Sequence, residues 1–104
     1  MQKFDRSRVA NLVLPIVFIN ELTVIDATPS VLNCLVHKCI NIAPFDITNF
    51  SDGADGQTIR ILGDGFTTVK NNATIKTNTT ADKLLAAYKV YSFTLIEEVW
   101  YEAE

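Results

Sequence analysis

The sequence predicts an all-β module of short antiparallel strands in a sandwich- or prism-like arrangement, and three observations carry that prediction. Between residues 46 and 77, short runs rich in Ile, Thr and Val alternate with the clusters Asp52-Gly53-Ala54-Asp55-Gly56, Gly63-Asp64-Gly65 and Asn71-Asn72. Asp and Asn tolerate left-handed backbone and bond their own main chain, and Gly reaches positive φ at no steric cost, so each cluster reads as a reversal between strands. From residue 88 to 96 the side chains alternate, with Tyr91, Phe93 and Leu95 on one face and Val90, Ser92 and Thr94 on the other. Helical composition is confined to residues 80–88, where the neighbouring β pattern leaves room for at most one turn of helix.

In chain order, strands are expected at 9–14, 16–20, 22–26, 31–42, 45–50, 57–62, 66–70, 73–77, 88–96 and 98–102. Pro15, Pro29 and Pro44 each fall at a break between them, where a missing amide donor does no harm. Ala27-Thr28-Pro29-Ser30 reads as the joint between an N-terminal arm, residues 1–26, and a compact β module, residues 27–104. Three short apolar strands cannot cover themselves. Either they return to the module's own sheets or they dock on neighbouring subunits by strand addition at an open sheet edge, and docking is the expectation.

A chain of 104 residues makes one domain that buries roughly two-thirds of its unfolded surface. Yet 48% of its residues are hydrophobic, a high load for so small a monomer, which points to surface meant for other subunits. Nine Lys and Arg against twelve Asp and Glu give a net charge of -3, with the bases scattered after Lys3, Arg6 and Arg8. A nucleic-acid binder needs clustered cations, with aromatics between them for single strands, so no nucleic-acid partner is expected. The apolar run at 9–25 is interrupted by Asn11, Pro15, Asn20 and Glu21, too often for a membrane-spanning helix, and no membrane partner is expected. A signal peptide cleaved near Ala27 is the competing reading of that run.

Cys34 and Cys39 would stand about 16 Å apart on opposite faces of one extended strand, whereas a disulfide needs Cα atoms within roughly 7 Å. Free thiols and a reducing site of synthesis are expected. With His37 they offer three metal-ligand types where a structural zinc closes with four, and strand packing is the simpler role. Asp52, Asp55 and Asp64 fit neither an EF-hand nor a glycine-rich calcium repeat. Asn49, Asn72 and Asn78 begin glycosylation-type triplets that suit surface turns equally well. Glu97, Glu98, Glu102 and Glu104 cluster at a turn and a terminus, where solvated charge is the ordinary explanation. No nucleophile, base or phosphate loop falls in a recognisable pattern, so the expectation is a non-enzymatic protein without cofactor or metal. Tyr88, Trp100 and Tyr101 are the candidate interface or ligand-contact residues, because aromatic rings stack on sugars and also fill cores and subunit interfaces.

From Ala27 onward the chain resembles the short β modules of tail fibres, tail spikes and related appendages or decoration proteins of tailed bacteriophages. The residues that carry the likeness are Ala27-Thr28-Pro29-Ser30, Ile47-Thr48-Asn49-Phe50, Asp55-Gly56-Gln57-Thr58-Ile59, Leu62-Gly63-Asp64-Gly65, Thr67-Thr68-Val69, Asn71-Asn72, Ile75-Lys76-Thr77, Tyr91-Ser92-Phe93 and Trp100-Tyr101-Glu102. The resemblance implies a homotrimeric virion part, made in the host cytoplasm and bound to other capsid or tail proteins. A short chain with its own arm also suits a capsid cement or decoration protein, and a carbohydrate-binding receptor module that takes a host glycan is the alternative. Glu97-Glu98 stands where such modules often carry Asn-Gly or Asp-Gly, so the last hairpin is expected to be longer or wider.

Overall fold

The computed structural model describes residues 19–22 and 26–104. Among them nine strands form: β1 (Ile19–Leu22), β2 (Val36–Cys39), β3 (Phe45–Ile47), β4 (Thr58–Leu62), β5 (Thr67–Val69), β6 (Ile75–Lys76), β7 (Lys83–Leu84), β8 (Val90–Ile96) and β9 (Val99–Glu102). No helix occurs among the described residues, and the all-β class agrees with the sequence reading. The sheets are mixed rather than antiparallel throughout: a six-stranded sheet ordered β1-β2-β4-β8-β9-β6 and a three-stranded sheet ordered β3-β5-β7.

The parallel pairings define how the chain winds. Ile19 lies opposite Val36, and Val36 opposite Arg60, so β1, β2 and β4 stack in parallel. Phe45 lies opposite Thr67, which stacks β3 on β5, and Ser30 bridges Ser51 on a third side. Parallel neighbours need a long crossover. Here the crossover is the rest of a coil, because the chain leaves β2, lays down β3 and the Ser51 segment, and returns as β4. The result is a short β-solenoid whose chain regains the same column every roughly 17 to 24 residues.

The antiparallel pairings come last. β7 runs against β5, β8 against β4, and β9 folds back on β8 and reaches β6 in parallel. These strands complete the larger sheet at its C-terminal end, where β6 is the edge strand, while among the described residues β1 is the edge strand at the other.

Period-2 alternation fills the inside. Leu22, His37, Cys39, Ile59, Ile61, Phe93, Leu95 and Trp100 point inward from the large sheet, and Ile47, Thr67 and Val69 from the small one. Trp100 is 1% exposed, donates its indole N–H to the Phe50 carbonyl at 3.1 Å and meets the Phe50 ring edge-on at 5.6 Å. The closing hairpin therefore drives the largest side chain of the protein into the coil it covers. Gly53 makes room for it: a Cβ there would fall 2.6 Å from Trp100 Cζ2 and 2.9 Å from Leu95 Cδ2.

The Asx clusters are coil corners more than hairpin turns. Asp64 Oδ1 accepts the amides of Phe66 and Thr67, and its Oδ2 accepts the Asn41 amide and the Thr67 hydroxyl, each at 2.8 Å. One carboxylate thus ties the corner after β2 to the corner after β4. Asn72 does the same on the next side, its Oδ1 accepting the amides of Thr74 and Ile75 while its Nδ2 donates to Thr48 O one coil below.

Several boundaries differ from expectation. The strand expected at 31–42 shortens to β2, because Val31 O accepts the amide of Cys34 in a turn that holds Asn33 at φ 54°, and the chain bends again at Asn41. Residues 80–88 form no helical turn and contribute β7, whose partner strand β5 supplies the ladder. The hairpin at Glu97-Glu98 is not wide: Ile96 pairs with Val99, so only two residues turn, both in the left-handed region at φ 50° and 73°. Such a turn is ordinarily built from Asn-Gly, and Asp55 supports this one by accepting the Glu97 amide at 2.7 Å. Within the expected arm, residues 19–22 return to the module's own sheet as β1, and its remainder apart from Asp26 lies outside the described residues.

Candidate functional site

The three aromatic candidates separate in space. Trp100 is enclosed and its N–H is used, so it offers nothing to a ligand, a correction to its expected role as a contact residue that follows from the inward register of β9. Tyr101, the next residue, points outward and is 44% exposed. It sits in register between Lys76 of β6 and Thr94 of β8, and Thr94 in turn faces Thr58 of β4, their hydroxyls 2.8 Å apart. Tyr101 is thus an aromatic ring within a polar row on the outer face of the sheet. Tyr88 lies elsewhere, before β8 begins, with 94% of its surface exposed and φ 68°. A bulky residue held in the left-handed region is a strained position that the surrounding turn must impose.

That turn belongs to a recurring corner. The Phe45 amide donates to Phe66 O, and the Gly65 amide to Leu85 O, so the corners after β2, after β4 and before β8 stack on one another. Each carries an exposed large apolar side chain, Ile42, Phe66 and Tyr88 respectively. Ile42 and Phe66 are not among the candidates that the sequence singles out, and each is marked there only as an apolar residue immediately beside a turn-forming Asn or Gly. On the opposite corner a depression of about 330 Å³ is lined by Leu32, Asn33, Leu35, Asp52, Asp55 and Gln57, among other residues. Two of these, Asn33 and Asp52, are themselves at positive φ.

The cysteine and histidine set is packed as strand interior. Cys34 and Cys39 are not joined by a disulfide. Burial pushes the Cys39 thiol up to about 11, an effect to which Asp64 adds and against which a hydrogen bond with Thr67 works, so it stays protonated and unreactive. His37 is fully buried, with Nε2 3.2 Å from Cys34 O and Nδ1 3.3 Å from Asn20 Nδ2. Both ring nitrogens are therefore engaged within the protein.

The carboxylates are engaged too. Burial alone would raise Asp64, but the amides of Phe66, Thr67 and Asn41 and the Thr67 hydroxyl outweigh it and hold the carboxyl below its ordinary range. Asp52 accepts the Ser30 hydroxyl at 2.6 Å, and Asp55 supports the last hairpin. Glu102, whose side chain is 3% exposed, pairs with Lys83 at 3.3 Å and accepts the Asn78 amide. Among the described residues no cluster of His, Cys, Asp and Glu could hold a metal ion, and no helix is long and apolar enough to cross a membrane. The side chains of Asn72 and Asn78 are spent on bonds within the fold, Asn78 donating to Ala103 O and accepting from Lys83.

No protein-family model matches the chain, and neither does any curated protein or solved structure with which it was compared.

Proposed function

We propose that the chain is a non-enzymatic structural part of a bacteriophage virion, a homotrimeric β module that cements or decorates the capsid or forms a short appendage. The observation that carries this reading is the coil stack itself: its C-terminal end is built from reversed strands, and at its other end β1 is the edge strand among the described residues, the kind of position at which strand addition takes place. The exposed apolar corner of Ile42, Phe66 and Tyr88 supplies surface of the kind subunit contacts bury. Residues of the resemblance occupy structural positions: Asp64 and Asn72 fasten coils together, and Trp100 fills the closing end.

In this role residues 1–18 dock on neighbouring subunits and the association works by apolar burial and strand addition. The test is incorporation into particles. The full chain is expected in density-banded virions of the phage that encodes it, cross-linked through Lys3 to another virion protein. A chain lacking residues 1–18 is expected to fold and to be lost from the particles. Banded virions free of the full chain would overturn the proposal.

The second reading, a carbohydrate-binding receptor module, is favoured by one observation, the outward Tyr101 in register with Lys76, Thr94 and Thr58. A flat ring flanked by hydroxyl and ammonium groups suits the apolar face and hydroxyls of a saccharide. Glycan-array binding by the wild type, lost in Tyr101→Ala and retained in Tyr88→Ala, is the result this reading requires.

A further inference from the structure

His37 joins the strand that precedes it in the stack to the turn that leads into its own strand, through two hydrogen bonds that fit the neutral ring. Cys34 O can only accept, so the His37 nitrogen facing it at 3.2 Å, Nε2, carries the proton. Nδ1 is then the bare nitrogen, and it accepts from the side-chain amide of Asn20 at 3.3 Å. Asn20 belongs to β1 and His37 to β2, in register with each other, and Ile61 of β4 stands in register on the other side. The ring is fully buried between them. A second ring proton would meet the Asn20 NH₂ group unless the amide turned over to offer its oxygen, and in either arrangement it would place a charge where no solvent reaches.

Among the described residues none in register with the ring offers that charge a partner. The residues in register, Asn20 and Ile61, are uncharged. The charged neighbours on the three strands, Glu21, Lys38 and Arg60, are exposed on the outer face. The titratable groups nearest in the chain are the thiols of Cys34, in the turn before β2, and Cys39, which shares the inner face and stays protonated. Burial accordingly moves His37 below its ordinary value, the Cys34 carbonyl working in the opposite sense.

We propose that His37 is a pH-sensitive latch that fastens β1 to the sheet at neutral pH and releases it on protonation. Of the strands that pair with β2, β4 is also held by five residue pairs to β8, whereas β1 has β2 as its one strand partner among the described residues. Protonation therefore opens the ladder at β1. The sign follows from linkage: the opened state binds the proton more readily than the closed one, so closure is complete above the ordinary histidine value of about 6.5 and weakens as pH falls. One proton per opening sets the ceiling at about tenfold in the open-to-closed ratio for each pH unit.

The experiment is native-state amide exchange of the full chain between pH 7.5 and 5, corrected for intrinsic exchange, together with an NMR titration of the ring, which needs no assignment because the chain has one histidine. The expected result is loss of protection at Asn20 and Leu22, whose backbone groups face β2, by up to about tenfold per pH unit below about 6.5, while the amides of β4 and β8 keep theirs. The ring should titrate over the same span, and His37→Gln should make β1 protection independent of pH. Unchanged β1 protection in the wild type, simultaneous loss in β1 and β8, or the same pH dependence in His37→Gln would each overturn the latch. If the variant does not fold, the comparison of β1 with β8 in the wild type decides.

Discussion

Replacing Gly53 by Ala tests how the closing hairpin seats on the coil. The added methyl would stand 2.6 Å from Trp100 Cζ2 and 2.9 Å from Leu95 Cδ2, well inside contact distance. The ring cannot retreat without giving up its hydrogen bond to Phe50 O and its edge contact with the Phe50 ring. Loss of glycine freedom alone would stabilise by about 0.4–1 kcal/mol, and overpacking costs about 1–3 kcal/mol, so a net loss of about 1–2 kcal/mol is expected. Trp100→Phe removes the atoms that clash at the expense of buried area and one hydrogen bond, a loss of about 2–4 kcal/mol. In the double variant the methyl should fit the vacated space, so the two losses fall short of additivity by about 1 kcal/mol or more. Urea unfolding followed by circular dichroism, at one fixed protein concentration because association shifts apparent stability, measures all four proteins. Additivity to within about 0.5 kcal/mol would refute the contact between Gly53 and the indole.

Four further expectations concern the corners and the last turn. Exchanging Glu97-Glu98 for Asn-Gly relieves two left-handed residues and should stabilise by about 1–2 kcal/mol; an unchanged melting curve would speak against a two-residue turn with both residues at positive φ. Asp64→Ala leaves three amides and a hydroxyl without their acceptor and should cost about 2–4 kcal/mol by chemical denaturation, whereas a loss below about 0.5 kcal/mol would mean that the corners are not joined there. Because the folded Asp64 ionises below its unfolded value of about 3.9, its contribution is complete above that pH and lost as pH falls through the lowered value. Wild type should therefore lose more stability in acid than Asp64→Asn. At Gly63 a Cβ would run into the backbone carbonyl oxygens of Ala86 and Leu85, so Gly63→Ala should be the most damaging single methyl, read as loss of soluble folded protein or of more than about 3 kcal/mol.

The strands from residue 45 onward, β7 excepted, were legible because period-2 alternation fixes which face is buried whatever the partner strand is, and Ile47, Ile59, Ile61, Val69, Phe93 and Trp100 all point inward. What alternation does not encode is direction. Gly63-Asp64-Gly65 has the composition of a hairpin turn, yet it is a corner, because β4 continues into a different sheet and the strand beside it in space, β2, comes from the preceding coil. The parallel register rests on side chains whose partners are about one coil distant, such as Asp64 with Asn41 and Asn72 with Thr48, and no local pattern marks those pairs. The same holds for the candidate site. Trp100 and Tyr101 are neighbours with opposite fates, and only the register of β9 against β6 and β8 decides which ring faces water. His37 was visible as a strand residue, while its link to Asn20 depends on β1 returning to the sheet.

The proposed role as an assembling structural part is tested most directly by the mass of the full chain in sedimentation equilibrium at micromolar concentration. A single species at three times the 11.6 kDa chain mass is expected. A monomer that persists across the concentration range would contradict it.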